Sequence, residues 1–206
     1  PPHAARPLEL HVRHVAGGEF TDRLFRDDMQ SALLTIEGPL GKFVYRPGAD
    51  ARGAHAPGAD APPPMLLIGG GTGIAPLLSI LRHVIENDIE RDMLLYWGVR
   101  SEQDLYAHGT LETLTRQAAS LRYVPVLSEA SPQWLGLTGW VHEAAFSDIQ
   151  DLAAYEVYAA GPPAMIAAVR REFAVRGVSE SRLYYDSFDY APDTLERQRM
   201  SVVTKS

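Results

Sequence analysis

Four glycines in five residues constrain this chain more than any other feature. Gly69, Gly70, Gly71 and Gly73 stand between the apolar run Met65-Leu66-Leu67-Ile68 and a stretch where Leu77, Leu78, Leu81, Val84 and Ile85 recur at helical spacing. A strand that ends in glycines and opens into a helix is the setting of a phosphate-binding loop. Glycines let the backbone approach a pyrophosphate closely, and the helix N-terminus presents unpaired N–H groups at the positive end of its dipole. Pro76 falls in the first helical turn, where its missing N–H costs nothing. The spacing is not the dehydrogenase fingerprint, because Gly71, Gly73 and Pro76 make G-x-G-x-x-P. Nor is it a Walker loop, since no Lys-Ser or Lys-Thr follows. Neither lysine, Lys42 nor Lys205, stands four residues after a tyrosine, as the short-chain dehydrogenase pair requires.

Past residue 65 the pattern alternates between strand and helix. The loop's helix runs to about 87. Apolar strands are expected over 93–97, 121–127, 155–159 and 183–185. Ser101 and Asp104 form a capping-box start, and Leu111 and Leu114 continue that helical stretch. A further helix over 162–176 stops at Gly177. Strands alternating with helices imply a parallel sheet covered on both faces, which binds ligands at the carboxyl ends of its strands.

Before residue 47 the pattern is different. Leu8, Leu10 and Val12 alternate with Glu9, His11 and Arg13, which predicts a strand over 8–15. Gly17 and Gly18 break it. Thr21 is placed to cap a short helix toward 29, with Leu24 and Phe25 on its buried side. Two more strands are expected over 33–37 and 43–46. His11 and His14 do not make a metal pair, since residues three apart on a strand point to opposite faces. Between the two regions, 14 of the 18 residues over 47–64 are Pro, Ala or Gly. Such a segment cannot bury a core and reads as a linker at the domain boundary. Trp134 and Trp140 read as a surface loop, and the tail over 191–206 fits neither pattern.

Composition closes off several function classes. The 206 residues are 46% apolar and contain no cysteine. That excludes a disulfide scaffold, a cysteine nucleophile and cysteine-held zinc or iron–sulfur centres within this sequence. A net charge of −7 argues against broad nucleic-acid binding. No apolar run reaches the roughly 20 residues of a membrane span, and residues 1–6 lack the apolar core of a signal peptide, so a cytoplasmic chain is expected.

Six motifs occur in an order that resembles one family. They are Gly-Gly-Gly-Thr-Gly-Ile-Ala-Pro at 69–76, Tyr-Trp-Gly-Val-Arg at 96–100, Asp-Leu-Tyr at 104–106, Val-Leu-Ser at 126–128, Gly-Pro-Pro-Ala-Met at 161–165 and Tyr-Asp-Ser-Phe at 185–188. The chain resembles the C-terminal portion of the ferredoxin–NADP reductase superfamily. It is most similar to the NADH-dependent flavin reductase components of oxygenases and of CDP-6-deoxy-glucoseen reductases. The resemblance implies an α/β nucleotide-binding domain over 65–190, preceded by part of an antiparallel β-barrel flavin domain over 1–46, with the linker at 47–64. It implies an oxidoreductase that moves a hydride from NADH to FAD and passes electrons to an iron–sulfur centre or partner protein. The rival readings are a reductase that releases free reduced flavin, and a non-catalytic nucleotide-binding module.

The site residues follow from the same resemblance. Gly70, Gly71, Thr72, Gly73 and Pro76 would hold the dinucleotide, with Gly98 and Arg100 lining its site. Gly161, Pro162 and Met165 would flank the nicotinamide. Gly18, Phe20 and Thr21 match the flavin-phosphate segment, and Phe188 stands where an aromatic covers the flavin ring. No side-chain acid or base is expected. Two departures stand out. The Arg-x-Tyr-Ser motif that holds the flavin ring has no match in residues 1–7, so the flavin site is expected to be incomplete in this chain. Ala160 stands where most relatives have a cysteine beside the hydride-transfer site. Discrimination between coenzymes is expected at Ser128 and Glu129. NADPH-dependent relatives carry an arginine at the second position to pair with the 2′-phosphate, and a carboxylate there predicts preference for NADH.

Overall fold

The computed structural model describes residues 8–26, 33, 35–36, 38, 41–47 and 62–188. Most of the expected linker, residues 48–61, the tail over 191–206 and parts of the expected strand over 33–37 lie outside the described residues. The chain divides into two compact units, one of residues 1–42 with 189–206, the other Phe43–Phe188.

The larger unit is built on a six-stranded, all-parallel sheet. Its strands are β1 (Met65–Gly70), β2 (Met93–Val99), β3 (Leu121–Leu127), β4 (Leu137–Thr138), β5 (Glu156–Gly161) and β6 (Leu183–Ser187), in the order β4-β3-β2-β1-β5-β6. The helices are α2 (Ile74–Glu86), α3 (His108–Gln117), α4 (Val141–Asp148) and α5 (Pro163–Val175), with α1 (Glu19–Arg26) in the smaller unit. Alternation along β1 sends its side chains into two cores. Met65 and Leu67 join Leu77, Leu81, Leu95, Trp97 and Leu111 on the α2–α3 side. Leu66 and Ile68 join Tyr96, Phe146, Val157, Val169 and Phe173 on the α4–α5 side. With both faces covered, β1 and β5 are buried at every position, as a central parallel strand requires.

The chain winds outward from β1 to β4, then returns to β5 on the other side of β1. The strand order therefore reverses between β1 and β5, the place where such sheets open a ligand crevice.

The sequence reading missed two elements here. The region of Trp134 and Trp140 was expected to be only a loop. It contains the edge strand β4, and α4 begins at Val141. The Ser101–Asp104 capping box is present but caps a single 3-10 turn, with α3 starting at His108.

Residues 8–15 of the smaller unit and residues 43–46 at the start of the larger unit adopt no strand, contrary to the expectation. Helix α1 begins at Glu19, so Thr21 lies inside its first turn. The Thr21 hydroxyl donates to Val15 O (3.0 Å) and accepts from Val15 N (3.2 Å). Phe25 is exposed rather than buried. His11 pairs with Glu9 at 2.9 Å and His14 with Asp22 at 2.6 Å. The His14 hydrogen bond is the main reason the Asp22 carboxyl lies below its usual range.

Candidate functional site: the crevice at the carboxyl edge of the sheet

The glycine loop bridges β1 and α2 as a turn of 3-10 helix over Gly71–Gly73. Gly71 has φ +55°, a left-handed conformation that favours glycine. Gly73 is required for a different reason. A β-carbon there would stand 2.0 Å from Ala160 O, so the loop lies directly against the end of β5. A β-carbon on Gly70 would meet Met165 Sδ at 2.7 Å and Pro162 Cδ at 2.9 Å. Gly70, Gly73, Gly161, Pro162 and Met165 are thus brought together at the β1–β5 reversal. Phe188 joins them, because its N–H donates to Gly161 O at 3.0 Å.

Two helices begin at this point. Helix α2 opens at Ile74 directly after Gly73, and Pro76 is its third residue. Helix α5 opens at Pro163, where proline suits the first turn. The Ile74 N–H that opens α2 donates to Gly71 O and Thr72 O, and the Met165 and Ile166 N–H groups at the start of α5 donate to Pro162 O. The loop that leads into α2 has little side-chain bulk and lies at the positive end of that helix's dipole, a setting suited to a dinucleotide's pyrophosphate.

One support was not evident from the sequence. The fully buried Trp97 donates its indole N–H to Gly71 O at 2.8 Å and so fixes the loop from β2. The edge of the Trp97 ring system meets Tyr106 of the Asp-Leu-Tyr motif, with centroids 5.4 Å apart.

Across β2 and β3 the strand ends carry the remaining expected residues. Ser128 N donates to Val99 O (3.0 Å) and Glu129 N to Arg100 O (2.8 Å). The Arg100 and Glu129 side chains approach to 4.0 Å and are both exposed. Gly98 has a packing role, since a β-carbon there would stand 2.6 Å from Val141 Cβ. Gly139 N donates to Leu127 O at 2.9 Å, which places the exposed Trp140 at the β4 end of the same edge. Glu102 accepts from the Ser131 hydroxyl, and that bond is the leading cause of its lowered carboxyl pKa. Asp186 lies on β6 in register with Ala160, and burial raises its carboxyl pKa. Ala160 itself is fully enclosed. Thr72 is half-buried on the loop. Gly18, Phe20 and Thr21 belong to the smaller unit, where Gly18 N donates to Val15 O at 2.9 Å and Phe20 is exposed.

The profile of the oxidoreductase NAD-binding domain matches residues 67–171, which span β1 to the middle of α5. The chain belongs to that family. Among its relatives is the CDP-6-deoxy-L-threo-D-glycero-4-hexulose-3-dehydrase reductase of Yersinia pestis, 35% identical over 88% of this chain and 51% of the relative. The xylene/toluene monooxygenase electron transfer component XylA of Pseudomonas putida is 35% identical over 93% of this chain and 52% of its own length. The crystal structure of the Amycolatopsis reductase GcoB superposes with a TM-score of 0.69 at 33% identity, covering 87% of this chain and 51% of that one. The chain therefore spans about half the length of the relatives it matches. These findings bear out the resemblance to the ferredoxin–NADP reductase superfamily and the parallel α/β nucleotide-binding fold. Among the described residues no helix is long and apolar enough to cross a membrane.

Proposed function

We propose that this chain carries the nucleotide-binding half of an NADH-dependent flavoprotein reductase that passes electrons to an iron–sulfur centre or partner protein. The observation that carries the reading is the glycine loop set directly against the end of β5, with Gly73 against Ala160 O. The residues fit a dinucleotide. Gly70, Gly71, Thr72 and Gly73 would receive the pyrophosphate with the α2 N-terminus, and Pro76 removes no donor that the helix uses. Gly161, Pro162 and Met165 would flank the nicotinamide. Gly98, Arg100, Ser128 and Glu129 would face the adenosine end.

The flavin residues fit less completely. The first N–H groups of α1, around Glu19, Phe20 and Thr21, are free of helix bonds. The Thr21 hydroxyl, however, is committed to Val15. Phe188 is half-buried and its backbone is tied to Gly161.

When bound, NADH and FAD supply the hydride donor and acceptor. The protein's part is orientation and exclusion of water rather than acid–base catalysis. Here that part falls to the fixed glycine loop, to Met165 against Gly70, and to the backbone tie between Phe188 and Gly161.

The domain assignment belongs to the same proposal: flavin-barrel residues over 1–46, a segment over 47–64, the nucleotide domain over 65–190 and a tail over 191–206. So does a cytoplasmic setting. The test is titration of NADH into the 206-residue chain, then anaerobic addition of NADH to the complete reductase. Saturable binding to the chain and bleaching of the flavin band are expected. A chain that fails to bind NADH at millimolar concentration would overturn the proposal.

A further inference from the structure

Arg91 is a buried cation that the nucleotide site does not use. Its side chain is fully enclosed, and NH2 is 2.5 Å from Oε2 of Glu156, which is itself buried. Its other nitrogens bond backbone carbonyls, Nε to Pro63 O at 2.7 Å and NH1 to Arg46 O at 3.0 Å. Pro63 and Arg46 are the residues on either side of 47–62, the Pro/Ala/Gly segment whose composition suggests a linker. We infer that Arg91 is a clamp holding the two ends of that segment, Arg46 and Pro63, together within one unit, so that the segment does not serve as a spacer between units.

The geometry carries this. The nitrogens of one guanidinium sit in a rigid fork, so the two carbonyl oxygens lie within about 8 Å of each other. Sixteen residues could span on the order of 50 Å if extended, yet the chain leaves and returns at one side chain. Both ends have further ties to the same unit. Arg46 N donates to the Tyr158 hydroxyl at 3.1 Å, and the Arg46 guanidinium lies 5.1 Å from the Tyr184 ring centroid. The Phe43 ring meets Tyr158 edge-on at 6.0 Å. On the return side, Pro64 O accepts from Glu156 N at 3.0 Å. Glu156 balances the buried cation, and Arg91 donates to two partly buried carbonyls, one from each side of the segment. A lysine cannot reproduce the arrangement, because its ammonium is a point and not a fork. The chain therefore joins the nucleotide-binding unit at Phe43, before the Pro/Ala/Gly segment begins, which agrees with the unit boundary at Lys42.

The experiment replaces residues 48–61 with two glycines in the full chain and adds Arg91→Met to both backgrounds, with Arg91→Lys in reserve if the Met variant does not fold. The readouts are melting temperature and exchange of the Arg46 amide. The shortened chain is expected to melt within about 2 °C of the parent and to keep its Arg46 protection. Arg91→Met in the parent should speed Arg46 exchange at least about tenfold, and shortening the segment should recover about a third or more of that loss on a logarithmic scale, because the covalent tether replaces the clamp. Three results would overturn the inference. They are a larger melting shift in the shortened chain, unchanged Arg46 exchange in the Arg91 variant, and equal acceleration throughout β1, β2 and β5 with no recovery on shortening.

Discussion

Leu67 and Leu10 both lie in short apolar-rich segments, yet Leu67 is wholly buried and Leu10 is 56% exposed. Leu67 belongs to a strand with a parallel neighbour on each side, in register with Leu95 and Tyr158. Leu10 belongs to residues that adopt no strand, and α1 buries none of its side chains. Leu8, Phe20 and Ile36 are exposed as well. Apolar alternation states which face of a strand should be covered, but it supplies no partner to cover it. In the nucleotide-binding unit, covering helices arrive within the same stretch of chain. The contrast separates a local signal, sufficient for the glycine loop, from a pairing signal that depends on other strands.

The largest test of that contrast compares two glycines. Gly73→Ala drives a methyl group into the backbone of Ala160. Backbone cannot rotate away as a side chain can, so a loss of about 3 kcal/mol or more is expected, with NADH binding at least about 30-fold weaker. Gly38→Ala meets nothing within 4 Å and should leave both values unchanged. Thermal melts and NADH titration of the two variants check this. Equal effects would break the distinction between the units.

The coenzyme preference comes next. Glu129 lies at the open β3 end beside Arg100, with both side chains in solvent. A carboxylate facing a 2′-phosphate of roughly −1.5 to −2 charge is repulsive, and solvent and salt reduce the penalty to about 1–2 kcal/mol. Glu129→Arg should therefore shift the NADPH-to-NADH affinity ratio by about 5- to 30-fold toward NADPH. Competitive titration of both coenzymes measures it. An unchanged ratio removes Glu129 from the site.

Trp97→Phe probes the support beneath the loop. It keeps most of the buried ring but removes one of the two donors to Gly71 O, which also accepts from Ile74 N. The net loss of one hydrogen bond costs about 1 kcal/mol, so NADH binding should weaken about 3- to 10-fold. Tyr106→Leu, at the exposed edge of the same cluster, should do less.

Much of this was legible in the sequence because it is local. The strand over 121–127, the stop at Gly177 and the helix after the glycine loop depend on short-range periodicity and turn chemistry. Three features were not legible, each for a physical reason. Strand β4 has only two residues, too few for any period to register. The Trp97 bond to Gly71 joins residues brought together by sheet register, which the motif Tyr-Trp-Gly-Val-Arg does not reveal. The clamp at Arg91 spans 45 residues to Arg46 and 65 to Glu156, and the sequence shows only an ordinary charge before a strand. The strand expected over 8–15 in the smaller unit failed because alternation was read as if pairing followed from it, and the one expected over 43–46, at the start of the larger unit, was read from its place after a turn with no pairing signal behind it.

The smallest effect concerns His142, the second residue of α4, which is buried on the side away from the glycine loop's own helix. Burial lowers its pKa below the usual 6.5, opposed by the charges of Glu143 and Glu172 and aided by Arg171. The sign follows from which state takes up the proton first. As pH falls through about 6.5 the unfolded chain protonates its histidine while the folded chain holds it neutral. The unfolded state is then favoured, so the contribution present above that pH is lost on acidification until the lower folded pKa is reached. A melting curve from pH 8 to pH 5 should show an added decline on the order of 2 °C beginning near pH 6.5. His142→Gln removes the titrating group and should flatten that part of the profile, whatever its constant offset. Profiles of equal slope would mean that His142 is solvated in the folded chain. The smaller unit supplies the control, because His14 is an exposed ring paired with Asp22, and His14→Gln should leave the decline attributed to His142 in place.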